Sequence, residues 1–117
     1  MNETTDPVKA AQSCLAGSDP VALLRIYQFE DDVEAHDDAL QKRLRSDFSE
    51  SFFEVANVLD GAFGPRTELD VEDDLEMIPL CGVFHAASWN VDGTGLFLAA
   101  AHEDRETPLL LIVGVET

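Results

Sequence analysis

Positive charge is what this chain has least of. Seven Lys and Arg stand against 24 Asp and Glu in 117 residues, a formal net charge of −17, and no lysine follows Lys42. Such a surface offers no attraction to a phosphate backbone or an anionic lipid, so direct nucleic-acid binding and membrane-surface binding are excluded as expectations. Long apolar runs are also lacking. The longest near the end, Leu109 to Val115, is strand-sized, far below the roughly 18 residues of a membrane span. The acidic start Met1 to Asp6 has neither the basic residues nor the apolar run of a secretory signal. The expected location is the cytoplasm. Cysteine is limited to Cys14 and Cys81, with no Cys-x-x-Cys spacing, which predicts two buried free thiols.

Sequence signatures of catalysis are missing too. There is no G-x-x-x-x-G-K or G-x-G-x-x-G phosphate cradle and no G-x-S-x-G nucleophile elbow. Paired carboxylates for acid–base work carry no specificity in so acidic a chain. The chain is therefore read as a non-enzyme with no cofactor.

What remains is a core. With 45% hydrophobic residues and seven Phe, the chain is too apolar to be disordered. Its length predicts one α+β domain over residues 1–117. Two Asp-Pro-Val tripeptides, Asp6-Pro7-Val8 and Asp19-Pro20-Val21, read as helix starts, Asp capping and Pro at the first helical position. They predict helices at about 7–16, stopping at Gly17, and at about 20–29, the second apolar nearly all round. Leu40, Leu44, Phe48, Phe52, Val55 and Leu59 recur every three or four residues, within an arc of about 120°. With Asp38 and Gln41 as a capping box and Gly61 as the stop, a third helix is expected at about 39–60. Residues 62–80 read as a long loop with room for a short turn or strand. Three strands follow, at about 82–90, 95–102 and 109–116, the first two joined at Asp92-Gly93. The predicted fold is N-terminal helices packed on this three-stranded antiparallel meander.

Both faces of that sheet are apolar. One parity holds Val83, His85, Ala87, Trp89, Leu96, Leu98, Leu111 and Val113; the other holds Phe84, Phe97, Ile112 and the small residues Ala86, Ala99, Ala101 and Gly114. A half-solvated sheet alternates apolar and polar residues, so both sides need cover. The small-residue face would admit a helix closely. The bulkier one needs the remaining helices, a ligand or a second chain, and a homodimer through the sheet is expected.

The charge is concentrated. Residues 46–76 hold ten acids and one base. Asp47, Glu50 and Glu54 project within about 60° of one another on the third helix, as a carboxylate stripe roughly 10 Å long, with Phe53 on its flank. An exposed aromatic beside carboxylates is an anchor for a basic partner protein. Asp70, Glu72, Asp73 and Asp74 extend the acidic region into the following loop. Their spacing fails the EF-hand pattern, since Leu75 stands where a Gly is needed. The competing reading is a solvated face with Phe53 covered by the N-terminal helices. His85 and His102 share a sheet face within reach of one ion, with Glu103 and Asp104 adjacent, but solvated or backbone-bonded histidines are the commoner outcome and no metal site is assigned.

Residues Asp19 to Tyr27 resemble the first helix of NTF2-like domains, whose plan is helices followed by a curved sheet. That resemblance implies a small-molecule-binding domain or enzyme, with a pocket lined by residues such as Trp89, His85 and Tyr27. The run from Trp89 to Leu111 is similar in style to small acidic bacterial immunity proteins. The leading expectation is a non-catalytic interaction protein, of the inhibitor or immunity type, docking a basic partner. The alternatives are the NTF2-like reading and an ordinary domain with a salt-adapted acidic surface.

Overall fold

In the computed structural model, residues 6–17, 21–68, 82–102 and 108–115 are described. Helix α1 spans Pro7–Leu15. Asp6 caps it by accepting the Lys9 N–H at 3.1 Å, and Gly17 ends it at φ 83°, where a side chain would be strained. Strand β1 follows at Val21–Tyr27, then a four-residue helix α2 at Asp32–Ala35 and the long helix α3 at Asp38–Phe63. Strands β2 (Thr67–Glu68), β3 (Val83–Val91), β4 (Thr94–Ala101) and β5 (Leu109–Val115) complete the order.

The sheet has five antiparallel strands in the order β1-β5-β4-β3-β2, not three. The expected meander is its centre, β3 to β5. The helix expected at 20–29 is instead the strand β1, paired with β5 from Val21↔Gly114 to Tyr27↔Leu109. The correction has a physical reason. A run apolar on both sides suits a strand buried on two faces as well as a buried helix. Seven residues rich in β-branched and aromatic types match the strand. Of the stretch carrying the NTF2-like resemblance, Val21–Tyr27 form a strand rather than the helix it implied.

Helix α3 forms on its predicted arc. Leu44, Phe48, Phe52 and Leu59 are buried, and Leu40 and Val55 partly so. Its ends are shifted. Asp37 rather than Asp38 is the cap, accepting the Leu40 N–H at 3.1 Å, while Gln41 turns away to donate to the Ala35 carbonyl at 2.6 Å. The helix runs through Gly61 and stops at Gly64, whose φ of 99° leaves the helical region. The Asp92-Gly93 hairpin turn forms as expected, with φ of 52° and 85° and the Asn90 side chain accepting the Gly93 N–H.

Helices α1 and α3 lie on the bulky face, against Ala87, Trp89, Leu96, Leu98, Leu109, Leu111 and Val113. Of the covers expected for the bulky face, helices are the one found, and among the described residues none of the helices packs on the small-residue face. Helix α3 needs facing side chains of length to meet its phenylalanines, and the larger residues supply them. The other face gathers Leu23, Ala86, Phe97, Ala99, Ala101 and Ile112, with no described helix residue among them. These residues too are buried within a single chain. Val83 belongs to this second cluster rather than with His85, because a bulge at Phe84 moves the register from Val83↔Ala101 to His85↔Ala100.

Candidate docking face on helix α3

The inner side of α3 is fixed to the sheet along two flanks. On the β1 flank, a bulge at Leu24 turns Arg25 toward the helix. Its guanidinium donates to Ser51 Oγ at 2.7 Å, approaches the Asp47 carbonyl at 3.5 Å and lies 4.4 Å over the Phe48 ring. On the β3 flank, Asp60 accepts the Trp89 indole N–H at 3.0 Å and the Arg66 backbone N–H at 3.1 Å, and pairs with the Arg66 guanidinium. Beside it, His85 stacks on Phe52 and meets Phe53 and Phe84 edge-on, all with ring centres 5.3–5.4 Å apart. The Arg45 guanidinium covers Phe84 at 5.1 Å.

His85 Nε2 lies 2.9 Å from Ser49 Oγ. The Ser49 hydroxyl donates its single hydrogen to the Arg45 carbonyl at 2.8 Å. It therefore accepts from His85, whose Nε2 carries the proton; the tautomer follows from this hydrogen-bond pattern. The pair is the reverse of a base drawing a proton from a nucleophile, and its role is to hold β3 against α3. Burial pushes the His85 pKa down, and the Glu68 carboxylate opposes that shift.

The outward side of α3 carries the predicted stripe. Glu50 and Glu54 are exposed, and Phe53 keeps 40% of its surface in water although Phe48 and Phe52 keep 2% or less. Asp47 is half-buried toward the Arg25 flank. Phe53 leans to the opposite flank, over His85. The stripe is thus narrower than Asp47, Glu50 and Glu54 taken together, and its centre is Glu50 with Glu54. Asp70, Glu72, Asp73 and Asp74 lie outside the described residues.

His85 and His102 stand a diagonal apart by register, since His85 faces Ala100. Their surroundings differ: His85 serves Ser49, and the buried His102 ring lies 5.9 Å from Phe29. Among the described residues, no group of three or more His, Cys, Asp or Glu is placed to hold a metal. The residues named for an NTF2-like pocket have partners within the chain. Trp89 is 2% exposed with its indole on Asp60, His85 is on Ser49, and the Tyr27 hydroxyl donates to Glu34.

Two features escaped the sequence pattern. The His85–Ser49 contact joins residues 36 apart on elements of different period, with no sequence spacing to reveal it. An open cleft of about 450 Å³ lies between α2 and α3, lined by Asp31, Val33, Glu34, Asp37, Ala39, Leu40 and Arg43. Asp31 and Asp37 already serve there as acceptors for the backbone N–H groups of Glu34 and Leu40. Neither a family model, a curated protein nor a solved structure matches the chain. No helix is long and apolar enough to cross a membrane among the described residues.

Proposed function

We propose that the chain is a small acidic interaction protein whose α3 outer face docks a basic partner surface. The observation that carries this reading is the exposure of Phe53 beside Glu50 and Glu54, on a helix whose Phe48 and Phe52 are buried. Glu50 and Glu54 stand four residues apart, a like-charge spacing that costs an isolated helix about 0.2–0.5 kcal/mol. A cation from a partner relieves that repulsion, and Phe53 supplies an apolar anchor next to it.

The test uses a lysine- and arginine-rich helical peptide as the probe, with binding followed by calorimetry. The charge reversal Glu50→Lys and the truncation Phe53→Ala are each expected to weaken binding at least about tenfold, or about 1.4 kcal/mol. The control Glu30→Lys reverses an exposed acid off the helix. Equal losses from Glu30→Lys and Glu50→Lys would reduce the attraction to net charge and remove the docking face.

A further inference from the structure

Helix α3 carries its charge in two blocks along its length. Lys42, Arg43 and Arg45 hold three of the chain's seven cations within four residues, and Asp47, Glu50 and Glu54 follow them. This order opposes the helix's own dipole, which favours acids at the start and bases at the end. It also sets like charges one turn apart, Lys42 with Arg45 and Glu50 with Glu54. No ion pair joins Lys42, Arg43, Glu50 or Glu54 to another described residue. The arrangement gains little inside one chain.

It matches its own reverse. We infer that α3 pairs antiparallel with α3 of a second copy, across a twofold axis near residues 48–49. Residues equally far from that axis then meet. Arg43 faces Glu54 of the partner subunit, a guanidinium against a carboxylate. The contact occurs twice by symmetry. At 100° per residue, Ala39, Arg43, Ser46, Glu50 and Gly61 all fall near the line opposite the buried arc, and all are exposed. Three of these five are small, so two helices can approach closely. The second copy replaces the sheet-mediated homodimer as the self-association to test, since both sheet faces are already buried in one chain.

This inference rests on the docking reading of α3 and names the partner's basic element as residues 42–45 of the same sequence. The net charge of −17 on each copy opposes association at long range. At about 0.15 M salt that repulsion is screened beyond about 8 Å, while contact pairs survive. Association is therefore expected to be strongest near that salt concentration and to weaken both well below and well above it.

Sedimentation equilibrium from about 10 μM to 1 mM at about 0.15 M salt tests it. The wild-type mass should double across the range. Arg43→Glu alone and Glu54→Arg alone should each weaken association at least about tenfold, and an equimolar mixture of the two should recover it, since every contact in the mixed dimer is again opposite in sign. Glu54→Arg makes the chain less negative, so a simple net-charge account predicts the contrary result. Circular dichroism checks that both variants keep their helix. A wild-type chain that stays monomeric, a dimer indifferent to both reversals, or a mixture that fails to recover would overturn the pairing. Arg43→Glu leaves Glu50, Phe53 and Glu54 intact. If it loses self-association yet still binds the basic peptide, the pairing and the docking reading both stand; if the chain never pairs yet binds the peptide, only the pairing fails.

Discussion

The two flanks of α3 are held to the sheet by different means. On the β1 side a single cation, Arg25, reaches across to Ser51, the Asp47 carbonyl and the face of Phe48. On the β3 side a carboxylate, an indole, a guanidinium and a stack of rings interlock over several turns. The first flank has one polar anchor whose loss leaves mostly solvated groups. The second contains a buried donor, the Trp89 indole, that depends on one acceptor. A buried donor left without a partner costs more than the bond that satisfied it contributed. The β3 flank is accordingly the fixed edge of the helix, and the β1 flank is the one with freedom to adjust.

The largest expected effect comes from breaking the fixed edge. Asp60→Ala strands the Trp89 indole N–H and frees Arg66 from its carboxylate, so the expected loss is about 2–3 kcal/mol. Urea unfolding measures it as a lower midpoint with an unchanged slope. Asp60→Asn retains an acceptor for Trp89 and should recover part of the loss. The counterpart on the other flank is Arg25→Met, which keeps the apolar stem but removes the hydrogen bond and the ring contact. Its expected cost is about 1 kcal/mol. Equal costs for the two substitutions would erase the distinction between the flanks.

These flanks also mark how far the sequence was legible. The arc Leu40 to Leu59 is periodic, and periodicity is a local property, so α3 was readable to within three residues at its end. Its caps were less so, because Asp37 and Asp38 offer the same chemistry and Gly61 tolerates a helix when packing carries it onward. Strand β1 was not readable. Val21 to Tyr27 is apolar on both sides, Leu23 facing one cluster and Leu24 the other across a bulge. Only the presence of β5 beside it decides for a strand. Strand β2, two residues long, is too short to carry any pattern. Of the candidate site, Glu50, Phe53 and Glu54 followed from helical geometry alone, since exposure opposite a buried arc is a matter of angle. The half-burial of Asp47 did not, because it depends on strand β1 beside the helix, a segment assigned to a helix until its pairing with β5 places it.

The smallest expected effect separates the flanks by pH. Several groups face His85: Ser49 from α3, Glu68 from β2, and the rings of Phe52, Phe53 and Phe84. Burial holds its pKa below the usual 6.5, with Glu68 opposing in part. As pH falls through 6.5, the unfolded chain takes up the proton first. Protonation then favours unfolding, and stability declines until the folded-state pKa is reached. Above 6.5 the contribution is complete. The chain's many carboxylates have a pH dependence of their own, so the informative quantity is the difference between the wild type and His85→Gln. The glutamine amide can still donate to Ser49 but does not titrate. The difference in unfolding midpoint should be flat above 6.5 and should shift in favour of His85→Gln below it. Arg25→Met, on the other flank, should run parallel to the wild type through the same window. A His85→Gln curve that is also parallel would mean that the ring is solvated enough to titrate normally, and that rings and Ser49 do not hold this flank shut.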